Sequence, residues 1–153
     1  MFWLLVPQDK VYDKKMKLKK KKKKADREAF MDPEKAQECK EKGNDAFKLG
    51  DYHQALKWYS EAIDRNPKNH LLYSNRVAAL TKIGQMPAAL EDCDRCIELC
   101  PTFAKIYNRK GNIQFFLKEF HKCKDTFQQV IDLEPESRDA TEAKEMIAKT
   151  DCE

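Results

Sequence analysis

The chain contains little glycine and has no hydrophobic run long enough to cross a membrane. Only four of its 153 residues are glycine, which argues against a long flexible linker and a glycine-rich phosphate-binding loop. No stretch approaches the roughly 20 apolar residues that a membrane-spanning helix needs. The apolar segment 2–6 is too short for the core of a secretory signal, and no basic region precedes it. The sequence therefore predicts a cytoplasmic location without a membrane span.

Recognisable catalytic groups are also missing from the sequence. Its three histidines are scattered along the chain, and no serine, histidine and aspartate set with a nucleophile pattern is present. Glu91, Asp92 and Asp94 are close together, but they fall on a predicted outer helix, where we interpret them as solvated. We therefore expect no enzymatic activity, no cofactor, no metal and no small-molecule substrate.

A period of 34 residues organises most of the chain. Pro67, Pro101 and Pro135 are separated by this spacing. A period of this length is typical of stacked helix-turn-helix repeats. We therefore predict an all-α fold, a right-handed α-solenoid of three repeats with six helices and a C-terminal capping helix. Five further sets of positions share the period: Gly43, Val77 and Gly111; Gly50, Gly84 and Lys118; Ala55, Ala89 and Cys123; Tyr59, Cys93 and Phe127; Ala62, Cys96 and Val130.

Each repeat is predicted to contain two amphipathic helices. Gly50 and Gly84 fall in the turns between paired helices, where a left-handed backbone is often required. The repeated prolines follow each second helix, where they prevent its continuation. A final helix would cover the core side of the last repeat. The predicted helices span residues 33–48, 52–65, 69–83, 86–99, 103–117, 120–133 and 137–150.

The cysteines allow two interpretations. Cys93, Cys96 and Cys100 have the spacing C-x2-C-x3-C, which is compatible with a metal or an iron–sulfur cluster. However, Cys93 and Cys96 occupy positions that hold apolar or aromatic residues in the other two repeats. Buried thiols fill small gaps in a core well. We therefore expect core packing and reduced thiols, as is usual in the cytosol.

The positive charge is concentrated at one end of the chain. The net charge is +4, but residues 1–33 carry +6 and the remaining residues −2. Nine of the eleven residues from Lys14 to Lys24 are lysine, and like charges one helical turn apart disfavour an isolated helix. We therefore predict two parts: a basic segment 1–32, partly disordered or a helical linker, and a repeat domain 33–153 with its capping helix from about residue 137.

The open face of the first helices is predicted to be a polar groove. In solenoids of paired helices the first helices line the concave surface. At 100° per residue, the arc beside the packed face carries five cations and one acid. It includes Lys40 and Asn44 in the first repeat, Ser74 and Asn75 in the second, and Lys105 and Arg109 in the third.

These cations and amides suit a ligand with two adjacent carboxylates. Lysine and arginine supply charge-assisted hydrogen bonds, and asparagine donates without adding like-charge repulsion. Each Lys-to-Asn or Lys-to-Arg pair is one turn apart and so projects together. The last residue of a peptide that ends in aspartate is such a ligand. Ala78 and Phe116 would add an apolar patch beside it.

The glycine, alanine, aromatic and proline positions quoted above resemble the tetratricopeptide repeat across residues 36–137. Within that family, KEKGNDAFKLGDY, LYSNRVAAL and KIYNRKGN are similar to the co-chaperones that hold two carboxylates in a clamp. The resemblance implies that Lys40, Asn44, Asn75, Lys105 and Arg109 form this clamp, and we call them the clamp residues. Lys82 matches a further contact position of the family.

DREAFMDPEKAQECKEKGN, ALEDCDRCIEL and PTFAKIYNRKG are similar to the last repeat module of the Hsp-organising protein, or stress-inducible phosphoprotein, family. This resemblance implies an adaptor that binds the Glu-Glu-Val-Asp tails of seventy- or ninety-kilodalton heat-shock chaperones. Three residues depart from the family pattern: Val77 stands where a small residue is usual, and Lys118 and Cys123 are unusual in the third repeat.

The lysine tract supports an alternative function. Nine lysines could neutralise several phosphates of a nucleic acid or an acidic membrane surface, and such binding falls steeply with salt. The repeat body offers no matching basic stripe, and no aromatic residue interleaves with the lysines for base stacking. A solvated tail or a nuclear-import signal is a further interpretation. In this alternative the chain is a general interaction scaffold, in the nucleus as well as the cytoplasm, although nucleic acid is the less expected partner.

Overall fold

The computed structural model describes residues 8–152, and these residues form eight α-helices without a β-strand. No helix within this range is both long and apolar enough to cross a membrane. The all-α prediction is therefore confirmed. The helices are α1 Gln8–Phe30, α2 Pro33–Lys48, α3 Tyr52–Arg65, α4 His70–Ile83, α5 Met86–Leu99, α6 Ala104–Phe116, α7 Phe120–Leu133 and α8 Arg138–Asp151.

The chain divides into two compact units, Met1–Asp32 and Pro33–Glu153. In the first unit, residues 8–30 form the single helix α1, whereas the expectation for residues 1–7 lies outside the described range. Asp9 lies in the first turn of α1, and Lys24 pairs with Glu28 one turn later at 3.8 Å. An acid near the helix N-terminus and an i,i+4 ion pair both favour the helix.

The second unit is an array of helix pairs in which each helix packs against the next, from α2 to α8. The observed bounds differ from the predicted ones by at most one residue. At three helix starts the difference arises because the first predicted residue is the N-cap: Asn69, Phe103 and Ser137. Two of these caps, Asn69 and Ser137, accept a hydrogen bond from the first turn at 3.0 Å, which satisfies an otherwise unpaired backbone donor.

The turns between paired helices use a left-handed backbone. Gly50 has φ of 78° and Gly84 has φ of 88°, as predicted. The third repeat places Lys118 at the same position with φ of 60°. A side chain in this region costs energy because its Cβ approaches the carbonyl oxygen, so the unusual residue of the third repeat adopts a disfavoured conformation.

The departure at Val77 has a packing explanation. A Cβ on Gly43 would lie 2.6 Å from the ring of Tyr59, and one on Gly111 would lie 2.7 Å from the ring of Phe127. Glycine is therefore required where an aromatic ring faces it. In the second repeat the residues at the equivalent positions are Val77 and Cys93, which belong to one buried cluster. A larger residue on the first helix thus accompanies a smaller one on the second.

Helix α8 covers the end of the array. Ala140 and Ala143 are fully buried, and Met146 and Ile147 pack against the cluster around Phe127. Glu136 before the helix and Glu145 within it are exposed, whereas Thr150 near its end is buried. The predicted capping helix is therefore confirmed.

Candidate functional site

The first helices of the three repeats carry the clamp residues. Lys40 and Asn44 lie on α2, Asn75 lies on α4, and Lys105 and Arg109 lie on α6. Lys105 is exposed and the other four are half-buried. Nδ2 of Asn75 donates to Oδ1 of Asn44 at 3.5 Å, which joins α2 to α4. The structure therefore brings the two asparagines together, and each lysine lies one turn before its partner on the same helix.

Asn44 also receives a hydrogen bond from a buried residue of α3. The hydroxyl of Tyr59 donates to Oδ1 of Asn44 at 2.8 Å, and Tyr59 is only 2% exposed. Burial raises the pKa of this phenol, although the positive charge of Arg109 opposes the change. The hydroxyl consequently keeps its proton at neutral pH and acts as a donor.

Arg109 is held by Ser74 of α4. Its Nη1 atom donates to the backbone carbonyl of Ser74 and, at 3.2 Å, to the Ser74 hydroxyl. Burial lowers the pKa of the Arg109 guanidinium, yet arginine remains charged at neutral pH. The sequence predicted Ser74 on the open face, but it is 2% exposed. This prediction was wrong because Arg109 of the next repeat lies over the serine.

An apolar cavity of about 360 Å³ adjoins Arg109. Ala78, Lys82 and Phe116, the three expected secondary contacts, all line it. Phe116 is 69% exposed, so a large apolar surface faces solvent there. A cation beside an apolar wall suits a ligand whose carboxylate neighbours an apolar side chain.

Phe47 and Met86 are among the residues of this cavity that sequence reasoning missed. Helical spacing places Phe47 toward the packed face of α2, but it is half-buried and lines the cavity. Met86 begins α5, a second helix of its repeat, so a search limited to first helices could not find it. The only sequence signal would have been its position next to the turn at Gly84.

Asp92 is not solvated, contrary to expectation. It is 5% exposed, and both of its carboxylate oxygens accept hydrogen bonds from Arg76 of α4, at 2.6 and 2.7 Å. Arg76 also donates to the hydroxyl of Ser60 on α3 at 3.3 Å. The pair links three successive helices, and such bidentate geometry is typical of a structural ion pair. It lies on helices α4 and α5.

The first two cysteines of the run belong to the core. Cys93 and Cys96 are fully buried, whereas Cys100 is half-buried. Burial raises the pKa of Cys93 to about 12 and that of Cys96 to about 11, so both thiols are neutral at pH 7. No cluster of three potential metal-ligating residues occurs among residues 8–152. The buried positions of Cys93 and Cys96 confirm the core interpretation.

Two segments of the chain match the tetratricopeptide repeat family, residues 36–69 and residues 104–137. The chain is 48% identical over 120 residues to the Hsp70-Hsp90 organizing protein of Triticum aestivum, which covers 78% of this chain and 21% of that protein. It is 44% identical over 130 residues to stress-induced-phosphoprotein 1 of Caenorhabditis elegans, which covers 84% of this chain and 41% of that protein. The chain therefore spans less than half the length of these relatives.

Solved structures of yeast Sti1 share the fold. The TPR2AB domain in complex with an Hsp90 peptide aligns with a TM-score of 0.84 at 33% identity, covering 92% of this chain and 56% of that one. The TPR2B domain in complex with an Hsp70 peptide aligns with a TM-score of 0.73 at 33% identity, covering 77% of this chain and 97% of that one. Each of these relatives is a repeat domain with a chaperone peptide bound.

Proposed function

This chain belongs to the tetratricopeptide repeat family, and we propose that it is an adaptor whose groove binds the acidic C-terminal tail of a heat-shock chaperone. The observation that carries the proposal is the joining of the three first helices at polar contacts. Asn75 of α4 bonds Asn44 of α2, and Arg109 of α6 bonds Ser74 of α4. These contacts support a groove in which donors from the three repeats bind a terminal carboxylate and an aspartate side chain together.

The clamp residues supply the right chemistry for two carboxylates. Lys40, Lys105 and Arg109 provide positive charge, whereas Asn44 and Asn75 provide amide donors. Hydrogen bonds to charged groups contribute about 1.5–3 kcal/mol each before the entropy of ordering the peptide is subtracted. The apolar cavity beside Arg109 would take an apolar side chain that precedes the terminal residue. The similarity to yeast Sti1 domains solved with Hsp90 and Hsp70 peptides supports the same ligand class.

The proposal is tested by titrating the protein with a peptide that ends in Ile-Glu-Glu-Val-Asp. We expect Lys40→Ala and Arg109→Ala each to weaken binding about tenfold or more, since each removes a charge-assisted contact. Lys122→Ala is the matched control, because it removes the same charge from the outer helix α7 at a side chain that is 69% exposed. It should leave the affinity unchanged.

The second arm of this experiment uses the same peptide with an amidated C-terminus. If the groove holds the terminal carboxylate, amidation removes one of the two charges that it recognises, and affinity should fall strongly. Equal affinity for the acid and the amide would refute the clamp. Peptides with the tails of the seventy- and ninety-kilodalton chaperones, titrated side by side, measure which partner is preferred.

The basic helix α1 supports a second candidate function, binding to an anionic surface. All nine lysines of the tract are exposed, and the helix would extend them over roughly 15 Å. Val11, Tyr12 and Leu18 of the same helix are between 53% and 65% exposed. Exposed apolar residues beside a run of lysines suit a membrane with anionic lipids, where each lysine contributes about 1 kcal/mol.

A further inference from the structure

The hydrogen bonds around Asn44 assign a role to a residue outside the clamp. The side-chain amide of asparagine has one accepting oxygen and one nitrogen with two protons to donate. A carboxylate ligand can accept only from the nitrogen. The groove therefore requires that this amide face the ligand with Nδ2 and turn Oδ1 toward the protein.

Two donors converge on Oδ1 of Asn44. The Tyr59 hydroxyl lies 2.8 Å from it and Nδ2 of Asn75 lies 3.5 Å from it. A reversed amide would place its NH2 group against the NH2 group of Asn75, and two donors cannot bond each other. The shorter of the two contacts is that of Tyr59, whose hydroxyl donates to Oδ1 and so adds to the effect of Asn75 in holding the amide.

Tyr59 is itself held rigidly. Its ring lies where a Cβ on Gly43 would be, 2.6 Å from the nearest ring atoms, and the side chain is 2% exposed. Gly43 precedes Asn44 directly in α2. The absence of a side chain on the glycine thus lets the ring pass close to α2, so that the hydroxyl reaches Asn44.

We propose that Tyr59 is a positioning residue that orients the amide of Asn44 for carboxylate binding. The expected effect of Tyr59 on peptide affinity rests on the proposed function of the groove, whereas its contact with the Asn44 amide does not. The Tyr59 ring packs in the core, and only its hydroxyl reaches Asn44. In the other two repeats the equivalent residues, Cys93 and Phe127, have no hydroxyl, so this device belongs to the first repeat.

The test removes the hydroxyl and retains the ring. Tyr59→Phe should weaken binding of the Ile-Glu-Glu-Val-Asp peptide about five- to tenfold, the effect of one lost hydrogen bond. Tyr73→Phe is the matched control. It deletes another hydroxyl of a buried tyrosine, one that donates to the carbonyl of Pro67 at 2.9 Å, and should leave the affinity unchanged.

A double-mutant comparison distinguishes positioning from a general structural effect. If Tyr59 acts through the amide, Tyr59→Phe should change the affinity less than twofold in an Asn44→Ala background. Unchanged affinity of Tyr59→Phe in the otherwise wild-type chain would overturn the proposal. So would an equal loss in both backgrounds, because the tyrosine would then act independently of Asn44.

A measurement without peptide separates this inference from the proposed function. The Asn44 side-chain amide signals in a 15N-correlated NMR spectrum, identified by their loss in Asn44→Ala, should shift in Tyr59→Phe and stay in place in Tyr73→Phe. If the wild-type chain binds no acidic peptide, the proposed function fails, while the NMR comparison still decides whether the Tyr59 hydroxyl holds the Asn44 amide. Unmoved signals in Tyr59→Phe would overturn the positioning role.

Discussion

At the scale of single residues, the turns between paired helices show how the residue type determines the free-energy cost of a left-handed backbone. Gly50 and Gly84 adopt the left-handed conformation, and no other atom lies within 4 Å of a Cβ added to either. The requirement for glycine there is therefore conformational and not steric. Lys118 adopts the same conformation with φ of 60° and is exposed, so its side chain gains little from packing.

We predict that Lys118→Gly stabilises the fold. The left-handed conformation costs a side-chain-bearing residue about 1–2 kcal/mol, while glycine loses about 0.5–1 kcal/mol more backbone entropy on folding. The net gain in the free energy of unfolding should be about 0.5–1 kcal/mol, measured by urea denaturation. Lys118→Ala, which keeps the strain, is the control and should give no comparable gain. Gly84→Ala should lower the free energy of unfolding by about 1 kcal/mol. A Gly84→Ala variant as stable as the wild type would contradict the explanation.

The clamp residues also belong to the residue scale. Their types and spacing predicted a polar groove before any contact was known, since helical periodicity determines which residues share a face. The contacts that orient them were not predictable. Tyr59 and Ser74 lie on other helices than the groups that they hold, and nothing in the local sequence marks either as a partner of Asn44 or Arg109.

At the scale of helices, the repeats differ in how their paired helices are packed. Gly43 faces Tyr59, and Gly111 faces Phe127, whereas the second repeat has Val77 and Cys93 at these positions. The combined volume is kept by exchanging a large and a small residue between two helices. Cores tolerate such exchanges when the total volume is conserved.

We predict that this exchange can be transferred to the third repeat. Gly111→Val alone should destabilise by about 1–3 kcal/mol because of overpacking against Phe127. Phe127→Cys alone should cost about 3–5 kcal/mol, as is typical when a buried ring is lost. The free energy of unfolding that the double variant loses should be smaller than the sum of the two single losses by about 1–3 kcal/mol, which is within the range for residues in contact.

The control for this cycle combines Gly111→Val with Tyr59→Cys. Tyr59→Cys makes the same type of ring-to-thiol change, but in the first repeat, where the ring faces Gly43 and not Gly111. The two losses of stability should therefore add. Denaturation curves of all variants provide the free energies. Simple additivity in the Gly111 and Phe127 pair would contradict the packing explanation, because it would mean that the two side chains do not constrain each other.

At the scale of the whole molecule, the basic helix and the repeat array are separate compact units. The lysine tract lies within the first unit, and the clamp residues lie within the second. The two candidate functions therefore use different parts of the chain. A deletion can separate them without altering any helix of the repeat array.

We predict that deletion of residues 1–31 leaves the affinity for the acidic peptide unchanged within about twofold. The same deletion should abolish binding to vesicles that contain phosphatidylserine, and in the full chain this binding should weaken steeply as salt increases. Isothermal titration and vesicle sedimentation measure the two activities. Vesicle binding that survives the deletion would exclude α1 as the anionic-surface site. A lost peptide affinity would show that the groove depends on the first unit.

The sequence by itself determined the helices, their turns and the face that carries the clamp residues. These features follow from a 34-residue period and from helical spacing, which are local or repeated properties of the chain. The tertiary structure alone decided that Ser74 is covered by Arg109, that Asp92 pairs with Arg76, that Phe47 and Met86 line the cavity, and that Tyr59 fixes Asn44. Each of these depends on side chains of different helices meeting, and such meetings are determined by how the helices pack and not by the periodicity of any one of them.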